Sequence, residues 1–134
     1  MDSALREEKD KLMHGGFMGR ILACAIDVHR VLGPGMLESA YRTCLLHRLR
    51  MEGIAVKREE PVTIEFRGLM IESAYRADVI VEDAVLLELK SVDALLPVHE
   101  AQILTYLKFL KLLVGLLLNF NVTSLSKGMR RFVR

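Results

Sequence analysis

Apolar residues at Phe17, Ile21, Cys24, Ala25, Val28 and Leu32 recur at helical spacing, which predicts an amphipathic helix over 17–32. Gly33-Pro34-Gly35 stops it. A second stripe, Leu37, Tyr41, Cys44, Leu45 and Leu49, predicts a helix over about 37–50 that ends at Gly53. The period then switches to two. Ile54, Val56, Val62, Ile64 and Phe66 alternate, so 54–66 reads as extended, with Pro61 marking an edge or a bulge. Arg67-Gly68 is a turn, and two strand-like runs follow, Tyr75–Val81 and Val85–Lys90, on either side of Glu82-Asp83-Ala84. After a loop from Ser91, Pro97 suits the first turn of a helix over about 98–111. The unbroken apolar run from Leu112 to Phe120 reads as a buried strand. Residues 2–13 read as one or two charged helical turns or a frayed end, closed by Gly15-Gly16, and a basic tail follows Ser124. The order helix, helix, three strands, helix, strand implies a mixed α/β sheet (α+β) with helices packed on it. With no repeat or linker, residues 1–134 read as one domain.

The hairpin has a register that its own apolar pattern selects. A three-residue loop at Glu82, Asp83 and Ala84 pairs Val81 with Val85 and sets Asp78 opposite Glu88. One face is then Ala77, Val79, Val81, Val85, Leu87 and Leu89; the other carries Arg76, Asp78, Ile80, Leu86, Glu88 and Lys90. A two-residue turn would move Asp78 into the apolar set, so burial disfavours it. Two facing carboxylates repel unless a cation lies between them. The pattern therefore points to a metal site.

Composition adds bounds. At 51% hydrophobic and 27% charged, the chain has an ordinary globular balance and enough length for a core. Cys24 and Cys44 lie outside any Cys-x-x-Cys spacing, which implies a reducing compartment and neither a disulfide framework nor a zinc site. Residues 2–11 are too charged for a signal peptide, and Leu112–Leu118 is too short to span a bilayer, so a cytoplasmic protein without a membrane partner is expected. Acids outnumber bases from Glu59 to Glu100, whereas 101–134 holds Lys108, Lys111, Lys127, Arg130, Arg131 and Arg134 and no acid. An acidic centre between basic flanks suits a cation-dependent site acting on a polyanion, although ordinary solvated faces give the same pattern.

Gly35-Met36-Leu37-Glu38-Ser39-Ala40-Tyr41 reads G-x-x-E-x-x-Y and follows His29-Arg30-Val31-Leu32-Gly33-Pro34. Together with Tyr75-Arg76-Ala77-Asp78, Glu88-Leu89-Lys90 and a helix bearing Gln102 and Tyr106, it resembles the GxxExxY protein family of the PD-(D/E)xK nuclease superfamily, over roughly residues 17–120. The resemblance implies an α-β-β-β-α-β restriction-endonuclease-like core, here with an additional N-terminal helix. It also implies that Asp78 and Glu88 hold a divalent metal with the Leu89 carbonyl. Lys90 would orient the attacking water or stabilise charge on the phosphate, Glu38 would add an acid, and Gln102 would support the site. Ala77 stands where the superfamily name has proline, and glycine-containing turns are expected around Lys111-Leu112-Leu113 and Asn121.

Carboxylate oxygens at Asp78, Glu88 and Glu38 suit Mg²⁺ or Mn²⁺, and Lys90 adds a fixed positive charge beside them. Singly, each acid is also an ordinary solvated residue, and Lys90 an ordinary ion-pair partner. Tyr41 and Tyr106 read as core aromatics whose hydroxyls find a polar partner and secondarily as site residues, and His99 as a site neighbour. The leading expectation is a metal-dependent nuclease acting on DNA or RNA. The alternatives are a binding or regulatory module on the same fold without useful turnover, and a structural oligomer subunit. The chain carries no appended nucleic-acid-binding domain, so a homodimer or a protein partner is a further expectation for substrate delivery.

Overall fold

A computed structural model describes residues 2–134. Helices α1 (Ser3–His14), α2 (Gly16–Leu32) and α3 (Glu38–Met51) precede strands β1 (Val56–Phe66), β2 (Leu69–Val81) and β3 (Val85–Lys90). Then come α4 (Pro97–Leu110), β4 (Val114–Asn119), a 3₁₀ turn (Leu125–Gly128) and β5 (Met129–Val133). The sheet has five strands in the order β1-β2-β3-β4-β5. Only β3 and β4 run parallel, which requires the crossover that α4 supplies.

The α-β-β-β-α-β core begins at α3, and elements beyond it extend the expected order at both ends. The N-terminal segment is a 12-residue helix, longer than the turn or two expected, and Asp2 caps it by accepting the Ala4 N–H at 3.1 Å. Leu12 and Met13 rest against the core, which gives this charged helix a reason to stay. The basic tail is not a simple tail: Met129–Val133 pairs antiparallel with β4. Its exposed arginines, Arg130 and Arg131, sit on an edge strand, where charge discourages pairing with another chain.

Two apolar layers hold the sheet. On one face Val79, Val81, Val85, Leu87 and Leu89 join Leu116 and Leu118 beneath α2 and α3, in a core that includes Ile21, Tyr41 and Leu45. On the other, Ile80, Leu86 and Leu117 meet Ile103, Tyr106 and Leu107 of α4. Gly115 permits this second contact, since a Cβ there would come within 3.0 Å of Ile103 Cδ1.

Ala77 departs from the expected face. It packs with Val62 and Tyr106 in the α4 layer rather than with Val79. The cause is local. Glu59 has a left-handed backbone (φ 50°), and the β1–β2 pairing steps from Arg58↔Val79 to Glu60↔Ala77 across it. Alternation along β2 breaks at Asp78, opposite that residue, with the register unchanged on either side. Pro61 does lie on an edge strand, with a register shift between Val62 and Ile64 just beyond it.

Glycine is absent at both places where the resemblance leads one to expect it, and at the first of them a left-handed backbone is present all the same: Lys111 closes α4 at φ 59°, ψ 38°. A lysine occupies a left-handed position that glycine fills without strain.

Candidate active site

The β2–β3 hairpin pairs Val81 with Val85, Ile80 with Leu86 and Val79 with Leu87, the register that its apolar alternation predicts. Asp78 and Glu88 come next, and there the backbone ladder gives way to side chains. The Asp78 N–H donates to Glu88 Oε1 at 3.3 Å, and the Leu89 N–H donates to Asp78 Oδ2 at 2.9 Å. Each carboxylate thus takes a backbone donor from the opposite strand. This clasp holds both acids in the opening between β2 and β3.

Glu88 is buried, only 5% exposed. Burial pushes its carboxyl up to about 9, and the neighbouring charge of Asp78 adds to the rise, while Lys90 opposes it. An acid at this position therefore lacks positive charge in the ligand-free protein.

Arg42 supplies part of what is missing. It lies one turn after Glu38 on α3, and its Nη2 is 3.3 Å from Asp78 Oδ1. Its Nη1 is 3.5 Å from Glu59 Oε1. Asp78 thus has Arg42, not Lys90, as its ion-pair partner. Lys90 ends β3 half-buried, and its charge reaches Glu88.

On the α4 side, Gln102 Nε2 donates to the Tyr106 hydroxyl at 3.2 Å. Burial and then the charge of Glu88 push the Tyr106 phenol up, which marks this pair as a flank of the acids. Beside it opens a cleft of about 270 Å³ lined by Gln102, Tyr106, Tyr75 and Ile64.

Tyr41 and His99 have different surroundings. The fully buried Tyr41 stacks on Phe120 (centroids 4.5 Å apart), donates to Gly33 O at 2.6 Å and accepts the Met36 N–H at 3.1 Å. It pins the Gly33–Leu37 loop from which α3 starts. Ser91 Oγ, donating to Met36 O at 2.7 Å, ties that loop to the residue after Lys90. His99 is occupied at the start of α4, where its Nδ1 accepts the Leu96 N–H at 3.0 Å. It serves the helix terminus, not the acids.

Glu38 is half-buried in the first turn of α3, directly after that pinned loop. It is not gathered with the pair: among the described residues, no group of three His, Cys, Asp or Glu side chains is assembled to hold a metal ion. The expectation of three acids at one point is corrected to two acids and an arginine. Arg42 follows Glu38 by one turn on the same helix, and that spacing is the signal the sequence carries for it. Glu59 carried none, because its part depends on a left-handed backbone in mid-strand.

A mixed sheet with helices on both faces, its two acids clasped at the opening of the β2–β3 hairpin and the second of them opening Glu-x-Lys, defines a nuclease-type α+β architecture. The model of the PD-(D/E)XK nuclease superfamily matches residues 16–132, and the chain belongs to that superfamily. Searches of curated proteins and of solved structures returned no significant match. Among the described residues, no helix is long and apolar enough to cross a membrane.

Proposed function

We propose that the protein is a divalent-metal-dependent nuclease that hydrolyses phosphodiester bonds of nucleic acid at the Asp78–Glu88 clasp. The observation that carries this reading is the pairing of a buried Glu88 with Asp78, within electrostatic reach of Lys90. Superfamily membership supports nucleic acid as the substrate class. The donors suit Mg²⁺ or Mn²⁺: both side chains offer hard oxygens, and burial followed by the charge of Asp78 raises the Glu88 carboxyl, a cost that a bound cation would relieve. Asp78, Glu88 and the Leu89 carbonyl would hold the ion. In an extended strand a residue's N–H and C=O face the same side, and the Leu89 N–H already points at Asp78. Bound there, the ion would lower the pKa of a coordinated water and neutralise charge on the phosphate.

The chain's own groups do the rest. The Leu89 amide fixes the Asp78 carboxylate. Lys90 holds a positive charge at the end of β3, where an anionic phosphate gains most from it. Gln102, held by Tyr106, offers its remaining amide capacity at the cleft mouth. A second reading, a nuclease-fold module that binds without turnover, draws support from the Arg42–Asp78 ion pair, which satisfies one acid without any metal.

One titration separates the two. Labelled single- and double-stranded DNA and RNA are incubated with Mn²⁺ over a concentration series, while bound metal and cleavage are followed together. The nuclease reading expects cleavage that tracks metal occupancy, loss of both in Asp78→Asn, and loss of cleavage alone in Lys90→Ala. Metal occupancy without cleavage of any substrate favours the binding module. No bound metal at millimolar concentration refutes the metal site.

A further inference from the structure

We propose that Arg42 is a resident counter-ion of the acid clasp, one that a divalent cation must displace from Asp78 to load the site. The inference rests on the metal-dependent reading above and deepens it. The guanidinium lies across two carboxylates from neighbouring strands, touching Asp78 at 3.3 Å and Glu59 at 3.5 Å. Both contacts are long: well-made charge-assisted N–H···O bonds run about 2.7–2.9 Å. Neither acid is gripped by the two-pronged fork that makes arginine pairs strong. In addition, Arg42 Nε is buried and has no hydrogen-bond partner. A side chain that leaves a donor unsatisfied and makes two stretched contacts is held by the demand for charge, not by good geometry.

The neighbourhood gives the displaced guanidinium somewhere to stay. Glu59, whose backbone is left-handed, is reached through the other terminal nitrogen, so Arg42 can release Asp78 without losing its second acid. Metal loading and the Arg42–Asp78 contact therefore compete for Asp78 Oδ1. Arg42 sets the metal concentration at which the site fills.

The test is Mn²⁺ binding by calorimetry, without substrate, on the wild type, Arg42→Ala, Arg42→Gln and Arg58→Ala. The exposed Arg58 is a charge-matched control: it approaches Glu59 at 3.8 Å but makes no ion pair with Asp78. The Arg42 variants are expected to bind Mn²⁺ roughly tenfold more tightly, about 1.4 kcal/mol, and Arg58→Ala within about twofold of wild type. Equal or weaker binding in those variants overturns it and leaves the metal site standing. A gain in Arg58→Ala that matches theirs also overturns it, as the effect is then one of net charge. Variants that melt far below the wild type without binding more tightly make Arg42 a structural residue, again against the proposal. No binding in any of the four proteins overturns the metal reading and this inference together.

Discussion

Glu88→Gln should make the metal-free protein more stable, by an amount that grows with pH. Glu88 ionises near 4.5 in an unfolded chain and near 9 in its buried place beside Asp78. Below pH 4.5 both states keep the proton and stability is full. Above it the unfolded chain releases the proton while the folded chain retains it, so stability falls until the folded group ionises near 9. Each pH unit in that window is worth about 1.4 kcal/mol, so by pH 7 the loss is about 3 kcal/mol. That is a large part of a domain stability of roughly 5–15 kcal/mol. Glutamine has the same shape, keeps an acceptor for the Asp78 N–H and has nothing to titrate. Urea unfolding in the presence of EDTA at pH 5, 6, 7 and 8 measures the gap between the two proteins. It should be small at pH 5 and widen by about 1.4 kcal/mol per unit. Saturating Mn²⁺ should close or reverse it, since metal ligation favours the ionised carboxylate. A gap that stays constant from pH 5 to 8 would refute the argument. So would a wild type that gains on the variant as pH rises.

Leu118 is fully buried in the interior strand β4, so Leu118→Asp should abolish the folded state, whereas Lys127→Ala, on an exposed turn, should shift the melting temperature by a degree or two at most; equal melts would contradict the packing. Lys111→Gly removes the strain of a left-handed lysine and should add up to about 1 kcal/mol in urea unfolding, with a loss counting against that account. Tyr41→Phe deletes a hydroxyl that serves Gly33 O and Met36 N, so it should cost about 1–3 kcal/mol and loosen amide-exchange protection in the loop before α3; unchanged exchange there would show that the loop is held by something else.

Much of the molecule is determined by local pattern. The hairpin register follows from apolar alternation, because a one-residue slip would turn Val79, Val81, Leu87 and Leu89 away from the helices. The same pattern sets Asp78 against Glu88. The run ending at Leu118 was legible as a buried strand because it is apolar on both faces, and β4 is buried along its length. Helix ends at Gly33 and Pro97 follow from backbone chemistry alone. Other features needed the assembled fold. Met129–Val133 becomes a strand because β4 offers it an open edge, not through any strong strand signal of its own. Ala77 changes layers where the β1–β2 ladder is interrupted at the left-handed Glu59. The site itself took its final form only in three dimensions: Arg42, from a helix remote in sequence, reaches Asp78, while Glu38 from that same helix is not drawn into a three-ligand group. Periodicity decides which face a residue takes on its own element, but which charges meet depends on how separate elements cross. That crossing is set by the packing of the two cores.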